Sequence, residues 1–139
     1  MLNVFLVGIG GMVGSMLRYG VSMLPMECGD GFPIKTLLTN IVGCFLIGII
    51  VMLSGKYSKL SPEMTLMLKT GVCGGFTTFS TFALESVTLI QKGDILSGLL
   101  YIVFSVAGGM LAVVLTQFLW RRIDKFLEQL QFENVYSVW

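Results

Sequence analysis

Histidine is absent from this 139-residue chain, and charge is scarce: nine Lys or Arg and eight Asp or Glu make up 12% of it. Without histidine the commonest general base and the commonest transition-metal ligand are missing. Charge at this level is about half of the roughly 25% that a soluble domain carries. A formal net charge of +1 leaves no electrostatic footprint for a nucleic acid. The three cysteines, Cys28, Cys44 and Cys73, are odd in number and lack CxxC spacing, so neither a disulfide framework nor a zinc site is expected. Cys44 and Cys73 lie in apolar runs and read as small buried fillers. With no metal cluster and no Ser–base constellation, there is nothing from which to build an enzyme's site.

What is there is apolar. Hydrophobic residues make up 55% of the chain before its 17 glycines are counted, and mean hydropathy is +0.86. The length has room for one domain, but a soluble globule of this size cannot hide that much apolar surface. The expected class is an all-α integral membrane domain over 1–139. A spanning helix needs about 20 mostly apolar residues. Four stretches qualify: Asn3–Met26, Thr36–Gly55, Met64–Ile90 and Ile95–Trp120. Short loops join them: Glu27–Lys35 with Gly29, Asp30, Gly31 and Pro33, Lys56–Glu63, and the four-residue Gln91–Asp94 around Gly93. Met1–Leu17 lacks the basic start and small-residue cleavage site of a signal peptide and reads as a retained helix.

After Trp120 come Arg121 and Arg122, an aromatic and basic pair of the membrane boundary. In the tail over 121–139, Ile123, Phe126, Leu127 and Leu130 recur at helical spacing, with Phe132, Tyr136 and Trp139 placed for the headgroup level. Four spans put both termini on one side. Lys56, Lys59, Arg121, Arg122 and Lys125 fall on that side, against Lys35 and Lys92 on the other, a modest bias toward termini inside.

Small residues stand at close-packing spacing: Gly10/Gly14, Gly71/Gly75, Ser105/Gly109 and Gly108/Ala112. They serve packing within the chain or against a second subunit. Four helices can hardly both enclose a pore and seal it from lipid, which favours a dimer.

The third span carries the sharper pattern. Gly74 and Gly75 are followed by four hydroxyl residues in the five positions from Thr77 to Thr81. Such a run makes poor helix. An opened backbone in mid-membrane is tolerated where protein, water or an ion satisfies it, and broken spans use carbonyls for cations and N–H ends for anions. The alternative is a continuous helix with hydroxyls bonded back to i−4 carbonyls. The expected interruption lies between about Gly74 and Thr78. Phe79 and Phe82, at i and i+3, are ordinarily packing, but their positive ring edges could line an anion path. Asn40 places an amide donor inside the second span beside Thr36 and Thr39; it either glues helices or faces a cavity. Arg18 and Glu85 are the ionisable residues deepest in the spans, either functional or paired and snorkelling near the interface. No basic residue stands between Lys69 and Lys92.

These residues together resemble the Fluc/CrcB family of fluoride channels. The segments that carry the resemblance are Gly10-Gly11-Met12-Val13-Gly14-Ser15-Met16-Leu17-Arg18-Tyr19, Thr36-Leu37-Leu38-Thr39-Asn40-Ile41-Val42-Gly43-Cys44-Phe45, and Gly71-Val72-Cys73-Gly74-Gly75-Phe76-Thr77-Thr78-Phe79-Ser80-Thr81-Phe82. The resemblance implies a multi-pass protein of the bacterial plasma membrane and an antiparallel dimer of four-helix subunits. It implies a structural sodium ion at the dimer centre on the carbonyls of Gly74 and Thr77, and pore phenylalanines at Phe79 and Phe82. Asn40 would be the pore amide, with Thr36, Ser80, Thr81, Glu85 and Tyr101 as polar positions along the path and Arg18 near the vestibule. Antiparallel pairing asks for almost no Lys/Arg bias, so the partner is a second copy inserted both ways or an oppositely oriented paralogue. The function expected is passive fluoride export. The alternative is a small four-helix, proton-coupled exporter of the multidrug type, for which Glu85 is the candidate acid.

Overall fold

The computed structural model describes residues 1–27, 31–55 and 60–136, with side chains as far as Phe126. Cys28, Lys56, Lys59 and Trp139 lie outside the described residues, as do the side chains of Leu127, Leu130, Phe132 and Tyr136. Every element among the described residues is helical.

Uninterrupted apolar sequence gives the longest elements. Helix α1 (Leu2–Ser22) and helix α2 (Ile34–Ser54) each have 21 residues. At 1.5 Å per residue each is about 31 Å long, the thickness of a bilayer's hydrocarbon core. α2 begins after Pro33, whose ring cannot extend a helix backwards. The next segment starts at Ser61, whose hydroxyl caps the Met64 N–H at 3.2 Å, with Pro62 at the first helical position. It runs as α3 (Pro62–Leu66), then as a wider π-helical stretch, Met67–Cys73, then as the single turn α4 (Gly74–Phe76). Thr77 and Thr78 are extended, with ψ of 157° and 112°. Helix α5 (Phe79–Gln91) follows, and Gly93, at φ +87°, turns the chain into α6 (Ile95–Tyr136). α6 does not stop at Trp120. Its 42 residues make it about 63 Å long, twice the hydrocarbon thickness. Three helical stretches are long and apolar enough to cross a membrane: Leu2–Ser22, Ile34–Ser54 and Ile95–Phe126.

Two glycine-mediated contacts organise the bundle. Gly10 and Gly14, the buried residues of α1, press on the π-helical stretch. A Cβ on Gly10 would come 2.5 Å from the Met67 carbonyl oxygen, and one on Gly75 would come 2.5 Å from that of Gly11. The two GxxxG pairs therefore pack on each other within one chain. The second contact joins α2 to α6, where Gly48 receives Thr116, Gly108 receives Ile41 and Gly109 faces Cys44.

Gly71 and Gly75 serve the close packing expected of their spacing, and the chain opens just after the double glycine rather than on it. Gly74 and Gly75 are helical, and the backbone opens three residues after Gly74. Gly75 is small because α1 touches it. Cys73 is buried as expected, while Cys44 is half-buried. Large apolar side chains such as Phe5, Met16, Leu96, Met110 and Leu111 are mostly exposed, as they are when the solvent is lipid.

Candidate functional site

A helix that stops in mid-segment leaves carbonyls without their i+4 partners. The ladder's last regular bond runs from the Thr77 N–H to the Cys73 carbonyl, at 3.0 Å. Beyond it, side chains from other elements take over. Asn40 of α2 holds Thr78 at both ends: its Oδ1 accepts the Thr78 N–H at 2.8 Å and its Nδ2 donates to the Thr78 carbonyl at 3.2 Å. Arg18 of α1 donates its Nε to the Gly75 carbonyl at 3.2 Å. The Thr78 hydroxyl caps α5, accepting the Thr81 N–H at 3.3 Å and donating to the Thr81 hydroxyl at 2.9 Å. Ser80 lies within 3.4 Å of the same hydroxyl.

Among the described residues, the carbonyls of Gly74 and Thr77 are without their i+4 N–H partners. The N–H that would close on Gly74 belongs to Thr78 and is turned to Asn40. The N–H that would close on Thr77 belongs to Thr81 and is turned to the Thr78 hydroxyl. Both residues line one cavity of about 300 Å³ together with Asn40, Phe79, Phe82 and Ser105.

From the break an aromatic row leads along α5 to α6. The rings of Phe79 and Phe82 are 5.6 Å apart, those of Phe82 and Tyr101 5.3 Å, and those of Tyr101 and Phe32 5.6 Å in an edge-to-face pair. Phe79 is 79% exposed. Tyr101 is fully buried, and its hydroxyl donates to Glu85 Oε2 at 2.7 Å, while Thr36 donates to Glu85 Oε1 at 2.9 Å. Sequence positions 36, 85 and 101, drawn from three helices, thus meet on one carboxylate.

Besides an apolar cavity of about 700 Å³ between α2 and α6 at Ile41, Phe45 and Leu111, three cavities with polar linings lie along α2. One of about 590 Å³ lies at Thr36, Glu85 and Lys92. The central one holds Asn40 and the two phenylalanines. A third, of about 560 Å³, lies at Ser54, Thr65 and Thr70. Of the polar positions expected from the sequence, Thr36 and Glu85 line the first and Asn40 the central one; Ser80, Thr81 and Tyr101 line none of them and are linked to lining residues by hydrogen bonds to Thr78 and Glu85.

A family model described as CrcB-like protein, Camphor Resistance (CrcB), matches residues 5–117. The chain belongs to the CrcB family. Among its relatives, a protein of Chlorobium phaeobacteroides (strain BS1) is 47% identical over 108 residues, 78% of this chain and 84% of that one. One of Rhizobium etli is 44% identical over 115 residues, 82% and 92% of the two chains. One of Ruminiclostridium cellulolyticum is 45% identical over 124 residues, 88% and 95%. Each of the three is named Fluoride-specific ion channel FluC.

In this CrcB-family chain, three residues of the site escaped the sequence reading. Thr78 was legible as a threonine just before a helix, an N-cap signal, yet its role as the residue Asn40 grips needs the fold. Ser105 read as a small packing residue; its hydroxyl is buried without a partner among the described residues and lines the central cavity. Lys69 read as a charge near the start of the third span, and the fold brings it to that same cavity.

Proposed function

We propose that this protein is a fluoride-selective channel that lets cytoplasmic fluoride leave passively across the plasma membrane, giving fluoride resistance. The observation that carries the reading is the break at Thr77–Thr78, held open by Asn40 and followed at once by Phe79 and Phe82, in a chain of the CrcB family. The kinship to fluoride channels at 44–47% identity supports it. The protein is a multi-pass membrane protein and not an enzyme. On this reading residues 62–91 form a fourth, interrupted span beside the three long ones.

Fluoride is small and strongly hydrated. A pore for it replaces water with donors that bind well enough to admit the ion and weakly enough to release it. The donors here are the remaining Asn40 N–H, the hydroxyls of Ser80, Thr81 and Ser105, the first-turn N–H groups of α5 and the positive ring edges of Phe79 and Phe82. Thr36 and Tyr101, both held by Glu85, continue the path toward the α1–α2 loop. The driving force is the membrane potential, about 2.3 kcal/mol per charge per 100 mV. HF that entered by diffusion and ionised inside then runs out as the anion.

The exposed Phe79 face asks for a cover, and the cover in this reading is a second copy in antiparallel orientation or an oppositely oriented paralogue. Sodium fits the pair of carbonyls whose N–H partners are turned away, because main-chain oxygens suit a hard cation. Gly74 and Thr77 would hold it, and it would supply a fixed positive charge at the dimer centre. Arg18, by closing the Gly75 carbonyl, shapes the loop that presents the other two. The proton-coupled exporter reading fares worse, since Glu85 is already engaged by two donors.

The deciding experiment is efflux from liposomes that hold equal fluoride and chloride, with a potassium shunt, with and without a pH gradient. Fluoride efflux much faster than chloride and indifferent to the gradient is expected. Comparable rates for the two ions, or a need for the gradient, would overturn the reading.

A further inference from the structure

Lys69 occupies a position that the pathway described so far does not use. Its side chain lines the central cavity of about 300 Å³, with Asn40, Thr77, Phe79 and Phe82. It also lines the cavity of about 560 Å³ that opens at Ser54, Ser61, Thr65 and Thr70. Among the described residues it is the charged residue in both linings, and no carboxylate stands in either. The neighbouring Thr65 hydroxyl is buried without a partner among the described residues. Lys69 lies within the π-helical stretch Met67–Cys73. Such wider turns are uncommon and recur at functional sites. Lys69 is exposed and lines a cavity rich in hydroxyls, Ser54, Ser61, Thr65 and Thr70, a setting in which an ammonium keeps its water.

We infer that Lys69 is an anion-collecting residue, which draws small inorganic anions into the hydroxyl-lined outer cavity and delivers them to the phenylalanine pair. The inference rests on the channel reading above. A hydrated cation at the junction of two cavities raises the local anion concentration without binding any anion tightly. It is indifferent to which halide it collects, so selectivity stays with Asn40 and the phenylalanines. A steering charge also has a signature that a packing residue lacks: its effect fades when salt shortens the Debye length from about 30 Å at 0.01 M to about 4 Å at 0.5 M.

The test compares the wild type with Lys69→Gln and Lys69→Arg in liposomes. Fluoride efflux is measured over a range of fluoride concentrations in about 10 mM and about 500 mM of an impermeant salt. Near 10 mM, Lys69→Gln should raise the half-saturating fluoride concentration about three- to tenfold, leave the maximal flux unchanged and keep the fluoride-to-chloride ratio. Near 500 mM the difference should vanish, and Lys69→Arg should match the wild type at both. Size-exclusion elution identical to the wild type establishes that the variants fold. A loss in Lys69→Gln that is equal at both salt concentrations, or no change at either, would overturn the inference while leaving the channel reading intact. A wild type that passes no fluoride would instead overturn the channel reading.

Discussion

The two sides of residues 62–91 are built on opposite principles. Toward α1 the segment is shut: Gly10, Gly14, Gly71 and Gly75 bring backbones into contact, with carbonyl oxygens where side chains would otherwise stand. Away from α1 the same segment is open: Gly74 has nothing within 4 Å of an added Cβ, and Phe79 is largely exposed. One side tolerates no added atom, and the other presents polar groups and rings to an empty volume. Rigidity and access are thus separated by a single step of the helix, about 100° of rotation. Glycine marks the first role at Gly75 and the second at Gly74, one residue apart.

That contrast can be broken from its closed side with the largest effect. In Gly14→Ala the new methyl would meet the Val72 carbonyl and lie 2.7 Å from the Phe76 nitrogen, all of it backbone that cannot swing away. The expected loss is about 3 kcal/mol or more, seen as the disappearance of a monodisperse peak on size exclusion. On the open side, Asn40→Asp keeps the volume but turns the donor that meets the Thr78 carbonyl into a second acceptor carrying negative charge. Fluoride efflux should fall to the leak of empty liposomes. Phe82→Ile retains apolar bulk, at about 1–2 kcal/mol of packing, and removes a ring that packs at a tilt against both Phe79 and Tyr101. Flux should drop about 100-fold, a barrier rise of about 2.7 kcal/mol, while thermal unfolding in detergent shifts by a few degrees. The smallest effect sharpens the comparison. Gly8, on α1 but off the glycine contact, has open space around it. Gly8→Ala should leave flux unchanged and stabilise the protein by up to about 1 kcal/mol, read as a slightly higher melting temperature.

Much of this was legible in the sequence because membrane solvent imposes simple rules. Long uncharged runs had to be helices, and glycines four apart had to be contacts. The opening falls at Thr77–Thr78, the far end of the Gly74–Thr78 stretch that the sequence points to, and the glycines themselves stay helical. Gly74 and Gly75 look like the weak point, since glycine is the poorest ordinary helix former. At the opening the Thr78 N–H is bonded to Asn40, 38 positions away, in place of the Gly74 carbonyl. The π-helical stretch has no composition cue. The union of Thr36, Glu85 and Tyr101 could not be seen either, because no spacing rule links residues on three different helices.

The bidentate grip of Asn40 on Thr78 has one more consequence. Most interrupted helices can flex where they are interrupted, and gates are made from that freedom. Here the interruption is tied to α2 at both its N–H and its carbonyl, and to α1 through Arg18 at Gly75. Three helices share the strain of any bend at this point, so the joint has no slack. On the channel reading, a conduit built around such a joint has no hinge at Thr77–Thr78 from which to make a gate, so its flux is expected to follow ion supply and voltage.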